Sequence, residues 1–298
     1  MKKVELYNDC KNLLGEGITW SVDQENLYWL DVVIPSKLFQ LHLPTNKLST
    51  FIMPEMISSI SIRSKKDLII ASQYGVYNYN LTSNNFTRLI ETEPLLKFNR
   101  SNDGASDIKG RFWFGTMQNN LDEEGQDIPI TKNSGSLYRL NTDLTLDKIE
   151  SNLGIPNTFI WNPDNTKFYF TDSMEGIIYS YDFNEKSGEI TNKTNFATFN
   201  RGVPDGSTMD NEGFVWNCRW GGSCVVRFDP LGRVDRVLEV PVENVTNCVF
   251  GGKDLKTLFI TTARQGLSKE YVKKNPYAGS LFAIDLSIKG IEDNNFLG

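Results

Sequence analysis

Apolar side chains alternate with polar ones in short runs along this chain, and the runs come in pairs separated by polar turns. The clearest pair lies in residues 202–216, GVPDGSTMDNEGFVW, where Asp205 leads into one run and an Asn-Glu-Gly turn divides it from the next. The pattern returns in GITWSVDQENLYWLD (17–31), SISIRSKKDLIIASQ (59–73), GASDIKGRFWFGTM (104–117), FIWNPDNTKFYFTDS (159–173) and CVFGGKDLKTLFITTA (248–263). Period-two alternation around a polar turn predicts a β-hairpin in each.

A third strand follows each hairpin at a matching place: SKLFQLHL, GVYNYNL, GSLYRLN, GIIYSYDF, GSCVVRFD and GSLFAIDL. Five of the six units then offer a fourth, less apolar strand, such as KLSTFIM or RVLEV. Four strands at a spacing of roughly 40–55 residues are the blade arithmetic of a propeller. The prediction is an all-β, six-bladed β-propeller occupying residues 1–298 as a single domain. The last unit lacks a fourth strand, because SIKGIEDNNFLG after Leu286 has little strand character. VELYN near the N-terminus has no other partner, so it should pair into the last blade and close the ring.

In such a meander, the residues entering each inner strand converge at one mouth of the central channel. They are Glu16, then Asn102 and Asp103, then Asn157, then Asp205, with Ser58 and Asn247 in the remaining blades. Asn, Asp and Gly are common turn formers, but Glu16 between two glycines is not explained that way. Two carboxylates at one mouth raise each other's pKa unless a cation offsets them. Two carboxylates with one or two amide oxygens make an all-oxygen shell suited to a hard divalent ion.

Composition removes other chemistries. Formal charge is −6 with a pI near 5.1, and no Lys/Arg run forms a basic patch, which excludes nucleic acid as an expected partner. No apolar run approaches a membrane span and MKKVELYNDC has no apolar signal core, so no membrane contact and a cytoplasmic location are expected. The four cysteines have no CxxC spacing and are expected to be reduced. The one histidine, His42, lies inside a third strand, away from the mouth, which leaves no multi-histidine zinc site and no Ser-His-Asp triad. No P-loop or dinucleotide fingerprint is present.

The segments LLGEGITW, RSNDGASDIKGRFWFGTM, GIPNTFIWNPDNTKFYFTDS, GVPDGSTMDNEGFVWN and NCVFGGKDLKTLFITTAR run in order through nearly the whole chain. Together they resemble the senescence marker protein/gluconolactonase family, which includes regucalcin and bacterial sugar lactonases. The resemblance implies a six-bladed propeller with one divalent metal ion (Ca, Mg, Mn or Zn) held by Glu16, Asn157 and Asp205. It makes Asp205 the catalytic base as well, and it places Arg100 and Asn102 on the substrate. Departures from the family pattern stand at Thr158-Phe159, where Gly-Leu is usual and where the larger residues should crowd the fourth blade. They stand also at Gln118, Asn119 and Asn120, where animal members carry an acidic residue.

The activity so implied is hydrolysis of a sugar lactone, such as a glucono-, arabino- or xylonolactone, to the aldonic acid. The alternatives are hydrolysis of a non-sugar ester or organophosphate, and a metal-binding or interaction propeller without turnover. Two long insertions, 118–134 and 264–278, fall on the site face; Asn119 or Asn120 and one residue of the second are expected to touch substrate. The charged part of the first, DEEGQD, has the composition of a solvated loop. Trp20, Trp29, Trp113, Trp161 and Trp216 are expected in blade packing, whereas Trp220 should stand near the mouth, where it could stack on a sugar. The oligomeric state is left open, a monomer included.

Overall fold

The computed structural model describes residues 3–122 and 124–298. Six antiparallel four-stranded sheets stand around a channel, and the inner strand of each touches the inner strands of both neighbours. Blade 1 runs through Gly15–Ser21, Asn26–Asp31, Lys37–His42 and Lys47–Ile52, and blades 2 to 5 repeat that order. Blade 6 takes Asn244–Gly251, Thr257–Ala263 and Leu281–Asp285, and its outer strand is Glu5–Asn8 from the N-terminus. Glu5 stands opposite Ala283 and Leu6 opposite Phe282, so the chain start closes the ring.

Burial follows the strand order. The first two strands of a blade are covered on both faces by neighbouring blades, and Asn26–Asp31 and Ile57–Ile62 are buried at every position. Outer strands alternate, as in Lys47–Ile52, because one face meets solvent. Aromatic side chains fill the wedges between blades: Trp113 packs edge-on against Trp161 at 6.1 Å and beside Phe168 at 5.3 Å.

A device recurs in two hairpins. Asp107 accepts the Lys109 and Arg111 amides and the Trp113 indole N–H at 2.8 Å; Asp210 accepts the Glu212 and Phe214 amides and the Trp216 indole at 2.8 Å. One carboxylate thus fixes the turn and satisfies a buried tryptophan six residues on.

The inner strands carry the feature that makes the site. Each inner-strand pairing loses register near its entrance, between Glu16 and Thr19, Ile57 and Ser59, Ser101 and Gly104, Asn157 and Ile160, Pro204 and Ser207, and Val245 and Cys248. The candidate residues are therefore inside the inner strands, at bulges, and not in the connections before them. A bulge re-aims side chains out of the alternation, and here six bulges lie at one level of the channel.

The C-terminal segment crosses the opposite mouth. The Ile291 amide donates to the Met209 carbonyl, the Phe296 amide to Ile62 and the Leu297 amide to Gly110, so it ties blades 5, 2 and 3 together.

Candidate active site

Glu16, Arg100, Asn102, Asn157 and Asp205 line one cavity of about 390 Å³ at the bulge level. Asn120, Trp220, Ser173, Asp127, Glu243 and Gln265 complete much of its wall. Asp103 and Asn247 lie just below, and Asn247 Nδ2 reaches Glu16 at 3.4 Å and Asp103 at 3.5 Å. Ser58 faces the neighbouring blade, its hydroxyl 2.6 Å from that of Ser101.

A hydrogen-bond chain fixes the amide side of the cavity. Arg100 donates from Nη1 to Asn102 Oδ1 at 2.9 Å and from Nη2 to Asn120 Oδ1 at 2.8 Å. Asn102 Nδ2 donates to Asn157 Oδ1 at 3.1 Å and to the Pro156 carbonyl at 2.9 Å. Asn157 Nδ2 donates to Ser173 Oγ at 2.9 Å, and Ser173 donates on to the Pro204 carbonyl at 2.6 Å. With its nitrogen held by Ser173, the Asn157 amide oxygen faces the cavity side where Asn102 lies.

Crowding at Thr158 does not displace Asn157. Thr158 adopts φ 61°, a left-handed conformation rare for a β-branched residue, and is fully buried. Its amide donates to Asp103 Oδ2 at 3.0 Å and its hydroxyl to the Asp205 carbonyl at 2.6 Å. The bulge is thus bonded to both neighbouring blades.

The carboxylates are held away from their usual ionisation. Burial, then the Asp103 charge, pushes Glu16 up to about 8. Burial, with Glu16 and Asp103 beside it, holds Asp205 well above the ordinary range, and burial pushes Asp103 up to about 6. Burial draws Arg100 down to about 10 against the pull of Glu16 and Asp205. The Glu16 residue keeps slight exposure, but its carboxyl faces the channel, so desolvation dominates. The arrangement suits a small divalent cation: two carboxylates that repel each other, an amide oxygen held in place, and no lysine among the described residues of the wall. Among the described residues, no three Asp, Glu, His or Cys side chains group as a ligand cluster, so such an ion would draw on the Asn157 amide as well as Glu16 and Asp205.

Other expectations can be placed. His42 ends a third strand, with its ring 2.7 Å from the Thr45 hydroxyl, away from the cavity. The five blade tryptophans are buried and Trp220 stands at the mouth. Asn119 turns back onto the Leu121 backbone, whereas Asn120 lines the cavity. DEEGQD is exposed at Glu124, Gln126 and Asp127, as its composition implied, and Asp127 lines the cavity as well. Gly125 at φ 74° packs against Leu13 and Val33 and turns the chain inward, and Asp127 meets Gln265. Sequence reasoning missed Glu243 and Asn244, which also line the cavity; the signal for them was the start of the blade 6 inner strand, which Asn244 opens and Glu243 precedes.

A ring of six blades with an acidic, oxygen-lined mouth defines a class of propeller with a built polar site. Within it, residues 14–264 match the model of the SMP-30/Gluconolactonase/LRE-like region, and the chain belongs to this family. It is 35% identical over 298 residues to an L-arabinolactonase of Azospirillum brasilense, covering 98% of this chain and 95% of that one. It is 30% identical over 289 residues to rabbit regucalcin, covering 95% of each. The crystal structure of a calcium-binding protein, regucalcin, from Agrobacterium tumefaciens superposes with TM-score 0.91 at 28% identity, covering 99% of this chain and 97% of that one.

Proposed function

We propose that this chain hydrolyses a sugar-derived lactone to its aldonic acid, with one divalent cation held by Glu16, Asn157 and Asp205. Lactone hydrolysis is the activity for which its arabinolactonase relative is named. The observation that carries the finer reading is the pairing, in one cavity, of mutually repelling Glu16 and Asp205 with the Arg100–Asn102–Asn157 chain. The carboxylates call for a cation, and the amides and guanidinium offer hydroxyl and carbonyl contacts suited to a polyol.

When bound, the cation would polarise the lactone carbonyl and acidify a nearby water. Asp205 accepts the proton as that water adds to the carbonyl carbon. The ring C–O bond then breaks, and the departing oxygen takes the proton held on Asp205 to become the free hydroxyl of the acid. Asn102 and Arg100, each fixed by its neighbours, orient the ring so that the carbonyl carbon faces the water beside Asp205. Trp220 offers an apolar face at the same wall.

The test is acid release from a panel of five- and six-membered sugar lactones by chelator-stripped protein, with Ca²⁺, Mg²⁺, Mn²⁺ and Zn²⁺ added singly and spontaneous opening subtracted. Turnover restored by one or two ions is expected. Asp205→Asn should stay folded and lose at least ~100-fold in kcat, a loss typical of removing a general base. Near-normal turnover in that variant would reject the mechanism.

A further inference from the structure

The two long loops on the site face come from blades 3 and 6, which stand opposite each other in a six-blade ring. They nevertheless meet. Gln265 Nε2 donates to Asp127 Oδ1 at 2.6 Å, and both residues line the cavity that contains Glu16 and Asp205. The blade 3 loop reaches this point by crossing blade 1: Leu121 is buried with Leu14, Val32 and Val33, and Gly125 is packed on Leu13 and Val33. Part of the mouth is therefore bridged, and Asp127 and Gln265 form a wall above the bulges.

That wall has an unmet hydrogen-bonding capacity. Gln265 is only 4% exposed, and its Oε1 is buried without a partner among the described residues, although its Nε2 is bound to Asp127 and its carbonyl to Asn244 Nδ2 at 2.8 Å. With both ends of the residue fixed, Oε1 cannot turn to solvent. A buried polar atom without a partner is a place where a ligand or water completes the bonding; Arg100 Nε, on another residue lining this cavity, is a second such atom. Asp127 adds carboxylate oxygen beside it, and Glu243 stands on the same wall.

We infer that Asp127 and Gln265 form a hydroxyl-recognition subsite, in which Gln265 Oε1 and the Asp127 carboxylate accept hydrogen bonds from the exocyclic hydroxyls of the lactone. The inference rests on the lactonase reading of the cavity and adds what that reading lacks, a determinant of substrate class. Two of the three side chains on this wall, Asp127 and Glu243, are carboxylates that only accept when ionised, and the third presents an unpartnered acceptor. The wall therefore selects neutral polyol lactones and disfavours those bearing an anionic tail such as a carboxylate, sulfonate or phosphate, whose charge would face the like charges of Asp127 and Glu243. Asn244 and Gln265 are positioned by backbone bonds at the foot of the loop, so the subsite does not depend on a moving lid.

The experiment is a comparison of kcat/KM for a neutral aldonolactone and for its terminal deoxy analogue, in wild type, Gln265→Leu and Asp127→Asn, each loaded with the activating cation. The subsite predicts that wild type prefers the hydroxylated lactone by at least ~10-fold, and that each variant loses most of that preference while its rate on the deoxy analogue changes less than ~3-fold. It also predicts that Asp127→Asn improves the relative rate on a lactone with an anionic tail. Equal losses on both neutral substrates, with unchanged preference, would assign these residues a structural role and overturn the subsite while leaving lactone hydrolysis standing. Asp127→Asn, on an exposed loop, keeps the test readable if Gln265→Leu fails to fold. Wild type inert on every lactone and cation would overturn the lactonase reading and the subsite with it.

Discussion

Thr158 shows how one backbone angle is tied to the site. A side chain with a Cβ at φ 61° works against the L-residue preference by about 1–2 kcal/mol. The Thr158 hydroxyl recovers part of this through the Asp205 carbonyl at 2.6 Å and the Ser207 hydroxyl at 2.9 Å. The usual order of substitutions should therefore invert here. In a strand interior alanine outranks glycine, yet Thr158→Gly should be about 1 kcal/mol more stable than Thr158→Ala. Alanine keeps the strain and loses the hydroxyl, whereas glycine loses the hydroxyl and the strain together. Urea midpoints of the two variants decide the order, and alanine above glycine would mean that the angle carries no strain.

At the scale of the element, ring closure by Glu5–Asn8 has a measurable consequence. The strand is mostly exposed, and besides its ladder it contributes Tyr7, packed edge-on against Phe259 at 5.1 Å. Removing residues 1–9 leaves Leu281–Asp285 as an unpaired edge and should cost on the order of 2–4 kcal/mol, from lost ladder bonds at ~1 kcal/mol each and lost aromatic cover. Chemical denaturation measures the loss, and light scattering should report association through the freed edge. A truncated protein equal to wild type in both would show that the strand does not close the ring in any energetic sense. This strand was legible in the sequence because VELYN alternates and the last unit was one strand short. The blades were legible for the same reason: period-two patterning and polar turns are local properties. The bulges were not, because a register shift is set by what both paired strands must bury. Nor was the approach of Asp127 to Gln265, which depends on two loops distant in sequence meeting across blade 1. Topology alone brought Glu16, Asn102, Asp103, Asn157 and Asp205, with Ser58 and Asn247, to one mouth; it was the family resemblance that singled out Glu16, Asn157 and Asp205 among them.

On the scale of the whole molecule, the ring has two mouths, and the chain treats them differently. The upper one holds the polar cavity; the lower one is crossed by the C-terminal segment, whose weak patterning gave no hint of this path. Asp293 hangs from that segment into the channel, accepting the Thr19 hydroxyl at 2.8 Å and the Trp20 amide at 3.2 Å. Burial pushes its carboxyl up to about 6 from 3.8; its two hydrogen bonds pull the other way and the Glu292 charge adds slightly to the rise. A carboxyl whose folded pKa lies above its unfolded value favours the folded state fully below pH 4 and loses that contribution as pH rises through 6. At pH 7.5 the ionised Asp293 should therefore weigh against the fold by at most ~3 kcal/mol, and by less to the extent that the residue keeps slight exposure. Asp293→Asn can still accept both bonds and removes the charge. Its stability relative to wild type should be highest at pH 7.5 and should fall by about 1–3 kcal/mol as the pH is lowered through 6 towards 4.5. Glu16, Asp103 and Asp205 titrate in both proteins, so the difference between the two urea midpoints isolates Asp293. A difference that stays constant across that range would show that the lower mouth leaves Asp293 open to water, and that the C-terminal segment crosses the channel without sealing it.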